Sequence, residues 1–186
     1  MHPGGFRIKH MDELKLIPPS AGYAPLIEEY RAEFPKDRMR VTYVPDRIPG
    51  LDRLEEYGSV DGWLGLCDEM RGKISWYLCV RIKDGKPVGC CCVRHSLEYD
   101  DDDIEFASHI GYSVRPSERG RGYGREILRL ALEKAKEAGI KTVRLVCRDS
   151  NAASNRIIRQ NGGIFVDSIY GEESGLTVNR YDISAG

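Results

Sequence analysis

The chain has 186 residues, 41% hydrophobic and 31% charged, the make-up of one or at most two ordinary soluble domains. Twenty-eight Lys and Arg against 29 Asp and Glu leave a net charge of −1, which offers no field for phosphate backbones or anionic lipid, so nucleic acid is not the expected partner. No run approaches the ~18 apolar residues of a membrane span, and Met1-His2-Pro3-Gly4-Gly5 lacks the apolar middle of a secretory signal, so a cytoplasmic protein without membrane contact is expected.

Residues 1–10 carry no periodic pattern and are set apart as an extension, an expression scar or an upstream start; residues 11–186 are read as a single domain. Leu14-Lys15-Leu16-Ile17 reads as a first strand stopped by Pro18-Pro19, and Ser20 then opens a helix to about Phe34 whose apolar face is Leu26, Ile27, Tyr30 and Phe34. Residues 35–58 hold three prolines and many charges and read mostly as loop, followed by a short helix around 63–70. Strands are expected at 75–82 and 88–95, joined through the hairpin signal Asp84-Gly85. The run Asp100-Asp101-Asp102-Asp103 is either a solvated loop or a negative rim that draws in a cationic substrate.

Beyond it, residues 106–115 read as a strand ending at Pro116, and 122–138 as a long amphipathic helix with Ile127, Leu128, Ala131, Leu132, Ala135 and Ala138 on one face. Gly139 stops that helix. A strand at 142–147, a helix at 151–161 closed by Gly162-Gly163, and strands at 164–169 and 177–183 complete the chain. No repeat interrupts the order, which defines an α/β fold with a mixed, largely antiparallel sheet of six to seven strands flanked by about four helices. The six cysteines are not spaced as a zinc framework: Cys90-Cys91-Cys92 are adjacent, and Cys67, Cys79 and Cys147 stand alone. They read as reduced, buried side chains, and no metal is expected. Trp63, Trp76 and Tyr77 read as core.

The stretch that carries chemistry is Arg119-Gly120-Arg121-Gly122-Tyr123-Gly124, set between a strand and the long helix. Three glycines let backbone N–H groups come close to a ligand, the helix start adds unpaired donors, and the two arginines add charge suited to phosphate. The turn lacks the Gly-Lys-Ser/Thr ending of an ATP-binding loop, and it is not the Gly-x-Gly-x-x-Gly of a dinucleotide site.

It resembles instead the Gln/Arg-x-x-Gly-x-Gly/Ala signature of the GCN5-related N-acetyltransferases, and the order of strand, long helix, strand and Asn151-Ala152-Ala153-Ser154-Asn155 is similar to that family over roughly residues 75–183. The resemblance implies a single-domain acetyl-CoA acyltransferase fold, with acetyl-CoA as acyl donor and an amine of a small molecule, peptide or protein as acceptor; a homodimer is allowed. It implies that Val114 pairs with the pantetheine arm, that Arg119, Gly120, Arg121, Gly122, Tyr123 and Gly124 hold pyrophosphate, and that Asn151 and Asn155 contact the cofactor arm, although Asn151 is equally a helix cap. Arg94 and His95 end a strand where acceptor pockets open in the family; they either meet an anionic group of the substrate or pair with the aspartate run.

Direct attack requires a base for the ammonium, since an unperturbed amine is protonated at neutral pH, and an acid or good leaving-group character for the thiolate. Glu105 and His109 are the titratable candidates for the base. Seven residues beyond Asn151, where many members place a tyrosine acid, this chain has Ile158; Tyr112, Tyr170 and Cys147 are substitutes, with Tyr112 on the cofactor strand. The alternatives are a non-catalytic CoA-binding sensor, and an acyltransferase with a different acyl group or a hydroxyl acceptor.

Overall fold

The computed structural model describes residues 12–34, 48–100, 106–172 and 174–185. Among these residues seven strands and four α-helices follow in the order β1 (Leu14–Ile17), α1 (Ala24–Ala32), α2 (Val60–Glu69), β2 (Ile74–Arg81), β3 (Lys86–Arg94), β4 (Ile110–Val114), α3 (Tyr123–Glu137), β5 (Thr142–Arg148), α4 (Ala152–Gln160), β6 (Ile164–Gly171) and β7 (Leu176–Ser184). The α/β class with largely antiparallel pairing is as expected. The strands form two antiparallel sheets, β1-β2-β3-β4 and β5-β7-β6, rather than one.

Local sequence accounts for most element ends. Pro25 occupies the first turn of α1, where its missing N–H costs nothing. Ser59 caps α2 by accepting from the Gly62 N–H, three residues earlier than the apolar pattern alone placed the start. Gly85, at φ +68, turns the β2–β3 hairpin.

β4 is shorter than its β-branched and aromatic content promised. Phe106 sits in a turn, and the Ser108 N–H is taken by the Asp100 carboxylate (2.8 Å) instead of a strand neighbour, so pairing with β3 begins only at its Val93↔Ile110 register.

The four-stranded sheet is covered on both faces, which is why β3 reads as a continuous apolar run. Cys91 and Val93 face α3 with Ile127, Leu128, Ala131 and Ala135, while Cys90 and Cys92 face α1 and α2 with Ile27, Tyr30, Trp63 and Trp76. All six cysteines are free thiols, five of them buried, as their scattered spacing predicted. The loop before α2 is clamped onto this second face. Asp52 accepts from Arg94 (2.5 Å) and from the Cys92 thiol (2.9 Å), and its carbonyl accepts from the Trp63 indole (3.0 Å).

Gly89 lets α3 approach β3. A Cβ there would lie 2.3 Å from Ile127 Cδ1 and 2.7 Å from the Ser113 carbonyl. Gly89→Ala is therefore expected to cost about 1–3 kcal/mol through overpacking, read as a lowered urea midpoint with an unchanged slope.

Candidate functional site

The site is built where the two sheets meet and part. The His109 N–H donates to the Arg144 carbonyl (2.9 Å), and the Arg144 N–H donates to His109 Nδ1 (2.9 Å). The Ser108 hydroxyl donates to the Ile110 carbonyl (3.1 Å) and accepts from the Val146 N–H (3.4 Å). Beyond that junction β4 and β5 form no ladder. The His109 carbonyl accepts from Arg94 and the Arg115 N–H donates to Val88. Strand alternation therefore turns the backbone groups of Tyr112 and Val114 away from β3, onto the outer edge of β4. An added extended chain could pair with that edge.

The glycine turn follows directly. Gly120 and Gly122 hold φ +76 and +88, and a side chain at Gly120 would meet only open space. Gly122 precedes the first residue of α3, so no side chain caps that helix and its first N–H groups stay available to a ligand. Gly124 serves packing, since a Cβ there would lie 2.8 Å from Ile157 Cδ1 of α4. Arg119 is exposed, its guanidinium 5.6 Å from the Phe34 ring and its Nε donating to the Val114 carbonyl (3.3 Å). The Tyr123 side chain points the other way, into the core, where its hydroxyl meets Asp12 and Arg81; only its backbone is turned to the site.

A buried charge cluster holds the turn. Glu118 accepts from Arg81 (3.0 Å) and Lys86 (2.8 Å) and pairs with Arg121 (3.1 Å). Burial opposes ionisation of Glu118, but the three cations outweigh it and hold its carboxyl below the ordinary value. On the other flank Arg115 donates to Glu33 of the residues after α1, and the Ser117 N–H donates to the same carboxylate.

Across the opening, α4 begins at Asn151, whose side chain caps the helix through the Ser154 N–H (3.1 Å). Asn155 is buried and spends its whole capacity within the protein. Its Nδ2 donates to the Arg148, Asp149 and Asn151 carbonyls, and its Oδ1 accepts from Asn179 and Tyr181. It thus locks β5, α4 and β7 together rather than facing the opening.

The Tyr112 and Ser154 hydroxyls lie 3.0 Å apart, linking β4 to α4, and Ser154 also reaches the Cys147 thiol. Burial raises the Tyr112 hydroxyl well above its ordinary value and pushes Cys147 up to about 11, so both are protonated at neutral pH. Ile158 is buried in the core, and Tyr170 stands exposed on β6, away from this group.

The acceptor-side candidates lie at and just beyond the end of β3. Arg94 is buried, pairs with Asp52 and Asp100, and donates to the Ser108 carbonyl. Asp100, with 3% of its side chain exposed, is an internal partner of Arg94 rather than a rim charge. His95 Nε2 lies 3.0 Å from the Ser75 hydroxyl, where β2 begins and β3 ends. Glu105 and Asp101 to Asp103 lie outside the described residues. Asp52, which anchors Arg94, gave no motif signal because its partners are 40 and 42 positions away. Among the described residues no His, Cys, Asp and Glu group is arranged to hold a metal.

Comparison with known proteins agrees with this geometry. The acetyltransferase (GNAT) family model matches residues 26–162, and the chain belongs to that family. Among solved structures it is similar to yncA, a putative acetyltransferase from Salmonella typhimurium with acetyl-CoA, at 14% identity over 93% of this chain and 94% of that one, TM-score 0.65. It is also similar to the ribosomal L7/L12 alpha-N-protein acetyltransferase RimL in complex with coenzyme A (19% identity, 92% and 93% coverage, TM-score 0.67). The spermidine N-acetyltransferase of Vibrio cholerae, in complex with CoA and spermine, matches at 14% identity, 92% and 95% coverage and TM-score 0.67. These likenesses show the fold. A search of curated protein sequences found no match.

The junction makes a pH prediction. Burial, helped by the Arg144 and Arg94 charges, lowers the His109 pKa below its ordinary value, so unfolded chains bind the proton more readily and stability falls as pH drops below about 6.5. His109→Gln keeps an acceptor for the Arg144 N–H and should flatten that decline in urea titrations from pH 7 to 5. His109→Ala leaves the N–H unmet and should cost about 1–3 kcal/mol at pH 7 as well.

Proposed function

We propose that the protein transfers the acetyl group of acetyl-CoA to an amine by direct attack in a ternary complex. The observation that carries this reading is the outer edge of β4, which has no strand neighbour beyond the junction among the described residues and runs into a turn with two positive-φ glycines and an uncapped helix start. Such an edge accepts the two amides of a pantetheine arm, and the turn accepts pyrophosphate, so the residues present fit the cosubstrate. Bound there, acetyl-CoA supplies a thioester whose carbonyl carbon is open to attack.

In this reading the Val114 backbone pairs with the pantetheine arm, and the Tyr112 N–H is placed to stabilise the charge developing on the carbonyl oxygen. Arg119, Gly120, Arg121, Gly122, Tyr123 and Gly124 form the phosphate cradle, Tyr123 through its N–H alone. Asn151 and Asn155 act by fixing the start of α4. Tyr112, protonated and bonded to Ser154, is the group that donates to the departing thiolate in place of the tyrosine replaced by Ile158.

Glu105 is the preferred base. The bonds at His109 put its proton on Nε2 and commit the Nδ1 lone pair to Arg144, which leaves no free lone pair to take up a proton. An amine acceptor is supported by the likeness to RimL, an alpha-N-protein acetyltransferase, and to the spermidine N-acetyltransferase.

Calorimetric titration tests the cradle: Gly122→Val puts a branched Cβ at φ +88 beside the phosphate path and should weaken acetyl-CoA binding at least tenfold, or about 1.4 kcal/mol. Unchanged affinity in a folded variant would remove the turn from the site. Turnover over a panel of polyamines, amino-terminal peptides and aminoglycosides tests the reaction; acetyl-CoA binding with no transfer to any amine would favour a sensor. Tyr112→Phe should lower kcat with little change in KM, by less than the roughly 100- to 10,000-fold of a general acid-base group, because a thiolate already leaves well. Glu105→Gln should lower turnover within that range and remove the acidic limb of the rate profile.

A further inference from the structure

Outside the acetyl-transfer site, one strand breaks the pattern of the rest of the surface. Four of the five exposed large hydrophobic residues among the described residues lie on β6: Ile164, Phe165, Val166 and Tyr170, at 73, 50, 44 and 62% exposure. β6 is the terminal strand of the order β5-β7-β6, so among the described residues its far edge is a row of backbone groups without a ladder. Soluble monomers blunt such edges with lysine, proline, inward-pointing charges or a covering segment. The eight residues of β6 hold neither lysine nor proline, and their single charge, Asp167, is neutralised by Arg180 (2.5 and 2.6 Å).

We propose that two copies of this chain associate through this edge, β6 against β6 in antiparallel register, joining the two three-stranded sheets into one of six strands. Residues opposite each other in an antiparallel pair share a face, so a two-fold axis must pass through a residue. An axis at Asp167 would oppose two carboxylates; an axis at Ser168 or Ile169 opposes neutral groups. Pairing with β7 runs without a register break from Asp167 to Gly171, so the edge is regular where the axis falls.

Either axis also brings the exposed Glu172 of one copy beside Ile164 to Val166 of the other. That end of β6 adjoins Arg159, whose guanidinium lies over Tyr181, the ring against which Phe165 packs edge-on. Arg156 and Arg159 also line a groove of about 550 Å³ between α4 and β7, with Asp149, Asn155 and Asn179. An acidic partner residue therefore meets a basic recess. The exposed parts of the four apolar side chains come to on the order of 400 Å² per copy. With the strand backbone and the groove, that approaches the roughly 800 Å² per partner of a stable interface.

The test is sedimentation velocity on the full chain from about 1 to 100 μM, a span over which a micromolar dimer would dissociate. Wild type should sediment as a dimer at the upper end. Val166→Lys and Ile164→Lys, each with unchanged circular dichroism and acetyl-CoA affinity, should shift dissociation to at least tenfold higher concentration. Hydrogen exchange at residues 166–171 should slow with protein concentration in wild type and not in the variants. A wild-type monomer throughout, a dimer indifferent to both lysines, or open-ended association would each overturn the proposal. Acetyl-CoA affinity is measured alongside, so its loss in wild type would count against the functional reading and not against this one.

Discussion

The structure depends on a single interruption: two sheets that touch through His109 and Arg144 and then stop pairing. Leaving a strand edge without a ladder costs hydrogen bonds that folding would otherwise gain, so the interruption persists only if neighbouring contacts over-determine it. Ser108 and His109 supply those contacts with side chains in place of backbone, answering the Arg144 and Val146 N–H groups that a continued sheet would have paired. Behind them Arg94, held by Asp52 and Asp100, donates to the Ser108 carbonyl and keeps the approach to β4 from joining the ladder early. The opening is thus a built feature with its own support, and it turns the backbone of Tyr112 and Val114 away from β3.

Ion pairs surround this opening: the buried Arg94–Asp52 at one end of β4, and the buried Arg81–Glu118 with the partly buried Arg115–Glu33 at the other. Pairs of this kind return little net stability, because desolvation consumes most of the attraction. Their geometry is directional, however, and each joins elements far apart in the chain. Arg81 and Lys86 fix Glu118, Glu118 steadies Arg121, and Glu33 receives both Arg115 and the Ser117 N–H. We attribute to them the position of the turn between β4 and α3, which the open surroundings of Gly120 leave otherwise unsupported.

The sequence made the local features legible. The spacing of Ile127, Leu128, Ala131 and Ala135 defined α3, Asp84-Gly85 the hairpin, and the three glycines the turn with its two left-handed residues. Long-range pairings were not legible. Nothing around Asp52 marks it as a partner for Cys92 and Arg94, and nothing around Asn155 distinguishes a cofactor contact from the hub of five internal hydrogen bonds it proves to be. The sheet's division was hidden for the same reason. Residues 106–109 read as strand, and what takes them out of the ladder is the Ser108 N–H given to the Asp100 carboxylate together with the Ser108 and His109 side chains, which accept from the Val146 and Arg144 N–H groups of β5.

Ile158, at the position where the family resemblance leads to an expected tyrosine, takes its meaning from its surroundings. Ile158 lies in the core, where a hydroxyl would need a partner that the surrounding apolar residues do not offer. Tyr112 approaches the same helix from the opposite wall, with its hydroxyl on Ser154 one turn nearer the helix start. What a departing thiolate requires is a proton donor at a point in space, and the element that carries it is secondary. In the proposed reading the phenol stands on the strand whose backbone edge would hold the cosubstrate, so positioning of the thioester and of its proton donor would rest on one residue.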